Sequence, residues 1–170
     1  MSYADTKYVV LYQKNWTEAL RTAKRLSSSL QRLASDFPIS SASLVSADDD
    51  LQDKIDAFRV RFADLQDCIG HKLFRNLLKL EEETPISMVD VLNMMEKRSV
   101  LSSPQQWKLL REVRNAFSHD YPESEHERSE ALNLAWQHAD QLLVILVNLQ
   151  HYVHSIGIEL EGDINALIKA

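Results

Sequence analysis

Residues 51–80 read LQDKIDAFRVRFADLQDCIGHKLFRNLLKL, and within them Leu51, Ile55, Phe58, Phe62, Leu65, Ile69, Leu73, Leu77 and Leu80 recur at steps of three and four. That period marks one face of a helix, sustained here for about eight turns. Asp48-Asp49-Asp50 stands just before it, where carboxylates suit the positive end of a helix. Glu81-Glu82-Glu83-Thr84-Pro85 follows, and the proline closes the pattern. Gly70 inside the run costs roughly 1 kcal/mol against alanine, so it predicts a close approach by another helix. One apolar stripe of this length needs other helices to cover it. The expected fold is therefore all-α.

On the N-terminal side, Trp16, Leu20, Ala23, Leu26, Leu30 and Leu33 form a second stripe. Asn15, with Glu18 three residues on, reads as a capping box opening that helix. Residues 3–12 leave a short strand, an arm or an early helical turn open. Pro38 and a serine-rich run make 35–50 a loop.

On the C-terminal side, Ser87 with Asp90 opens a short helix through Val89, Leu92 and Met95. Ser103-Pro104-Gln105-Gln106 combines a serine cap, proline at the first helical position and glutamine at the box position. Ser124 with Glu127 opens a last long helix carrying Leu132, Ala135, Ala139, Leu142, Leu146, Leu149, Val153 and Ile156, with Gly157 as its stop. The tail to Ala170 reads as a loose final turn. The expectation is one domain over 1–170, an antiparallel bundle of four to five helices without a sheet.

Composition narrows the class. The chain has 170 residues, 45% hydrophobic and 26% charged, with three Gly and four Pro, as in an ordinary soluble domain with long helices. Cys68, the one cysteine, excludes an internal disulfide and a cysteine-rich zinc site and fits a reducing, cytoplasmic setting. The run Leu142 to Val147 is too short to cross a bilayer, and residues 1–16 lack the basic flank of a signal peptide. No membrane association is expected. A formal charge of -6 argues against a general nucleic-acid coat but leaves room for a local phosphate site.

One stretch concentrates chemistry: Arg114-Asn115-Ala116-Phe117-Ser118-His119-Asp120-Tyr121, followed by Pro122. At about 100° per residue, Trp107, Leu110, Val113 and Phe117 face the core, while Arg111, Asn115, Ser118 and His119 face away. Arg114 sits at the boundary, its stem along apolar surface and its head reaching out. Arg114 and His119 diverge by about 140°, so one phosphate would meet both only through arginine reach, a distorted last turn or a second copy of the helix. Pro122 disfavours helical geometry at Tyr121. The helix should end near Asp120 and let Tyr121 swing back beside the histidine.

This order of residues resembles the R-N-x-x-x-H-x-Y signature of the HEPN superfamily, in particular its HepT-type toxins, and its place on the penultimate long helix of an all-α bundle is similar too. The resemblance implies a metal-independent endoribonuclease working as a homodimer, with two motif helices across a cleft and no cofactor. It implies RNA as substrate, with Arg114, Asn115 and His119 catalytic and Arg111 and Ser118 as supporting phosphate or RNA contacts. It also implies a minimal nucleotidyltransferase antitoxin that transfers AMP to Tyr121. The residues alone make such chemistry reasonable. RNA carries its own 2′-OH nucleophile, histidine exchanges a proton near neutral pH, and arginine stabilises a phosphorane-like charge. Modified Tyr121 would set bulk and negative charge beside the phosphate site.

Two other functions compete. One is a non-catalytic HEPN-like module that presents substrate to a nucleotidyltransferase; the other is a structural bundle whose motif is coincidence. Elsewhere the readings are plain. His151 and His154 share a helix face without a carboxylate to complete a metal site. His71, His126 and His138 are isolated. Cys68 reads as a small buried hydrophobe, Trp107 and Trp136 as core, the acidic runs as helix-end charge. Phe74, Arg75 and Lys79 suggest a basic rim.

Overall fold

The computed structural model describes residues 3–118 and 121–169. The chain forms α1 (Tyr3–Leu33), α2 (Ser41–Val45) and α3 (Asp49–Asp67). Helix α3 runs through a π-helical segment (Cys68–Phe74) into α4 (Arg75–Leu80). Then come α5 (Met88–Lys97), α6 (Pro104–Ser118), α7 (Glu125–Ser155) and α8 (Asn165–Lys169). Among the described residues there is no strand. The all-α expectation holds, with long helices forming the body of the bundle and the five-residue α2 and α8 closing its sides.

Side-chain pairs fix the helix directions. Asn76 donates to Asn15 at 2.6 Å, Lys72 meets Glu18 at 2.8 Å, and Arg61 donates to Ser29 at 2.7 Å. As one residue number falls the other rises, so α1 lies antiparallel to the α3–π–α4 rod. The same holds for α6 against that rod, through Gly70 with Trp107, Asp67 with Arg114 and Arg59 with Phe117. The core between them is aromatic. Phe62 meets Phe117 edge-on at 5.1 Å, and Phe37 stacks on Trp136 at 4.5 Å.

Gly70 does what its place in the stripe predicted. A Cβ there would stand 2.8 Å from Cζ2 of Trp107, inside van der Waals contact, so only glycine lets the indole lie on the rod. Trp107 is buried and also meets Phe74 at 4.8 Å. The caps at Ser87 and Ser124 form as read, and Asp48, read only as helix-end charge, caps α3 as well; each accepts from the backbone N–H three residues on. Ser103 likewise accepts from Gln106 N, but the Gln106 side chain reaches back to Ser102 instead of Ser103.

Three expectations are corrected. Helix α1 does not begin near Asn15; it is already helical at Tyr3. Asn15 is buried and spends its side chain on Asn76, while Glu18 pairs with Lys72. The 35–50 loop contains a helical turn, α2, capped by Ser40. Asn133 ties this loop to α7, accepting from Ile39 N at 2.7 Å and donating to Ile39 O at 2.8 Å. The tail is not loose: Ile158, Leu160 and Ile164 are buried, Trp16 donates to Glu161 O at 2.8 Å, and Gln150 donates to Gly162 O at 2.8 Å.

Candidate functional site

Helix α6 presents the motif because its apolar side is committed. Trp107, Leu110, Val113 and Phe117 are all buried. That rotation leaves Arg111 and Ser118 exposed and Arg114 at the half-buried boundary, as the helical projection predicts, whereas Asn115, expected to face out, is half-buried too. His119, the expected acid–base residue, and Asp120 lie outside the described residues.

Arg114 does not reach into open solvent. Its Nη2 pairs with Asp67 Oδ2 at 2.8 Å, with the arginine side chain 18% exposed and the aspartate 40%. Its Nη1 donates to Asn115 Oδ1 at 3.4 Å. Asp67 is the last residue of α3 before the π-helical segment, a kind of local widening found often at functional positions. A charge-assisted bond of this length orients the guanidinium.

Tyr121 is not helical and is half-buried, as the proline after it predicts. Its neighbours come from other elements. The Arg59 guanidinium of α3 lies over its ring at 3.6 Å, and that of Arg128 on α7 stands 5.1 Å away. Both cations are fixed by backbone carbonyls: Arg59 Nε donates to Phe117 O at 2.8 Å, and Arg128 Nε donates to Pro122 O. Burial holds the Tyr121 hydroxyl above the usual phenol range, Arg59 and Arg128 pull it back, and Asp56 adds to the rise. The hydroxyl is thus neutral at ordinary pH, and its use as a nucleophile calls for a base.

Arg114 and Tyr121 are consequently anchored on the same helix at Asp67 and Arg59, eight residues apart, or about 12 Å along α3. Whether Tyr121 stands beside His119 falls outside the described residues. Sequence reading missed Asp67, Arg59 and Arg128. Each looked like a solvated charge on an amphipathic helix; the only available signal was position, since Asp67 and Arg59 flank the Leu65 and Phe62 stripe that α6 covers.

Asn115 borders an open groove of about 570 Å³ that also includes Glu112, Glu127 and Glu130. Three carboxylates make this groove repulsive to a polyanion unless cations are brought to it. A cavity of about 260 Å³ lies on the far side of Tyr121, toward α2 and the start of α3.

The remaining expectations sort simply. Cys68 is buried and its thiol is pushed up to about 11, chiefly by burial. His154 accepts from Leu160 N at 3.1 Å, which secures the tail. Phe74 is buried against Trp107, so no basic rim forms around it. Glu81 is more than helix-end charge: it pairs with Arg98 at 2.8 Å and accepts from Tyr152 Oη at 2.6 Å. Among the described residues no group of histidine, cysteine and carboxylate side chains could hold a metal ion. Among them also no helix is long and apolar enough to cross a membrane.

No family model matches the chain, and neither a curated protein nor a solved structure shows significant similarity to it.

Proposed function

We propose that the chain is a HEPN-type endoribonuclease of the HepT kind, the toxin of a toxin–antitoxin pair, acting as a homodimer. The observation that carries this reading is Arg114: a half-buried guanidinium oriented by Asp67 and touching Asn115, five residues before His119 in the sequence, on a helix that has ended by Tyr121. In the reaction the RNA 2′-oxygen attacks the adjacent phosphorus and loses its proton to a base. The P–O5′ bond breaks, and the 5′-oxygen takes a proton from an acid, leaving a 2′,3′-cyclic phosphate. His119 serves as acid or base, and the histidine of a second copy takes the other role. Arg114 stabilises the charge on the non-bridging oxygens.

Neutralisation follows at Tyr121. A nucleotidyltransferase partner would direct the Tyr121 oxygen at the α-phosphorus of ATP, forming an O–P bond and expelling pyrophosphate. The phenol proton goes to a base on that partner, since a phenol is protonated at neutral pH. The test is induced expression in a bacterial host. The account expects growth arrest that disappears in Arg114→Ala and in His119→Ala; arrest that persists in both variants contradicts it.

A second reading is favoured by the carboxylates around Asn115. They suit a protein surface that docks a basic partner better than one that docks RNA. The chain would then be the non-catalytic, substrate-binding companion of a nucleotidyltransferase. A stable complex with such an enzyme, nucleotide at the shared face and no RNA cleavage would favour it.

A further inference from the structure

The cavity behind Tyr121 is lined by Leu44, Val45, Ala47 and Ile55 on its apolar walls and by Gln52, Asp56, Glu125 and Arg128 at its polar edge. Its volume, about 260 Å³, falls just below that of pockets for drug-sized ligands, roughly 300–1,000 Å³. It therefore suits one planar ring system. Its walls are held in place. Asn133 fastens the α2 loop to α7 through both backbone groups of Ile39, and Arg59 fixes the Tyr121 side by bonding Phe117 O.

The polar edge has a distinct composition. Asp56 and Glu125 accept only; Arg59 already meets one Asp56 oxygen at 3.3 Å, so the Glu125 carboxylate and the other Asp56 oxygen are left to call for N–H donors on the ligand. Arg128 and the Gln52 amide supply donors for ligand acceptors. Among nucleobases, guanine alone offers two neighbouring donor groups, N1–H and N2–H₂, beside acceptors at O6 and N7. Adenine and cytosine place an acceptor nitrogen next to their amino group, which a carboxylate repels. Uracil has a single N–H between two carbonyls. Splayed-out bases of single-stranded RNA are read this way, with faces against side chains and edges hydrogen-bonded.

We propose that this cavity recognises a guanine base of single-stranded RNA, with Glu125 on N1–H and N2–H₂ and Arg128 or Gln52 on O6. It rests on the reading of the chain as an RNA-handling protein, and it gives that reading a base preference. Tyr121 joins the two: it belongs to the motif and forms one wall of the cavity.

The test is an NMR titration of the isotope-labelled full chain with GMP, AMP, CMP and UMP. GMP is expected to saturate at least tenfold below the other three, with shifts concentrated at residues 44–56 and 121–128. Glu125→Gln, at an exposed position, and Ala47→Trp, which fills the cavity, should each weaken GMP at least fivefold while the thermal midpoint of Glu125→Gln stays unchanged. Equal binding of all four, preference for AMP, or shifts elsewhere on the surface would overturn the proposal. Binding is read without cleavage. A chain that selects GMP but never cuts RNA keeps this inference and refutes the ribonuclease; a chain that cuts RNA without guanine selection does the reverse.

Discussion

The Arg59 guanidinium lies 3.6 Å above the Tyr121 ring while its Nε holds the Phe117 carbonyl at 2.8 Å. One side chain of α3 thus joins the end of the motif helix to Tyr121 beyond it. Its pair with Asp56 at 3.3 Å is of the exposed i,i+3 kind and contributes little. Arg59→Leu keeps the stem but loses the carbonyl bond and the ring contact, together about 1–2 kcal/mol. Urea unfolding should show a lower midpoint with an unchanged slope. An unaltered midpoint would mean that Arg59 is a bystander.

Asp67 makes a separable prediction. Asp67→Asn keeps the shape but removes the charge that orients Arg114. Because Asp67 is 40% exposed, the loss of stability should stay within about 1 kcal/mol. Activity should fall by at least tenfold on the ribonuclease reading, with partial recovery in Asp67→Glu. Loss of stability without loss of activity would make the pair structural only.

Gly70→Ala sets two effects against each other. Alanine gains up to about 1 kcal/mol of helix propensity, but its Cβ would stand 2.8 Å from the Trp107 ring. Overpacking a rigid buried indole costs about 1–3 kcal/mol, so the variant should be less stable by calorimetry. A rise in Tm would show that the rod yields at the π-helical segment.

That segment shows how much was legible. Leu65, Ile69, Leu73 and Leu77 are three successive steps of four, and over an ideal helix such spacing drifts by about 120°. The widened turn at Cys68–Phe74 absorbs the drift, so the signal was present in the spacing but was read as a plain helix. The stripes, the caps at Ser87 and Ser124, and the rotation of α6 were legible because they depend on local spacing. The Asn15 cap was not. A buried Asn15–Asn76 pair is a tertiary contact, and its amide looks the same in sequence as a cap. The Arg59 and Asp67 anchors were hidden for the same reason, since amphipathic periodicity ranks charges as outward and carries no information on which helix end they meet.

Tyr12 and Cys68 contribute to the response to alkali. Tyr12 is fully buried, its hydroxyl has no hydrogen-bond partner among the described residues, and burial pushes it far above the usual phenol range. Both groups have raised folded values, so the stability they contribute is present below their unfolded pKa and is lost as pH rises through the folded one. Stability should therefore decline above about pH 9–10. Tyr12→Phe should flatten that decline and, at pH 7, stabilise by up to about 1 kcal/mol through removal of an unpaired buried hydroxyl. A destabilised Tyr12→Phe would reveal a partner for that oxygen. Cys68, with its thiol held at about 11, should resist a thiol-specific reagent at pH 8 until the chain is unfolded; rapid native labelling would contradict its burial.

Purified protein tests most directly whether residues 114–121 cut RNA. Wild type, Arg114→Ala and His119→Ala are incubated with single-stranded RNA in the presence of a metal chelator, and the new ends are analysed. The account predicts cleavage by wild type alone, with 2′,3′-cyclic phosphate and 5′-hydroxyl termini. Equal cleavage by all three proteins, or none by a wild type that is folded and free of Tyr121 modification, would contradict it.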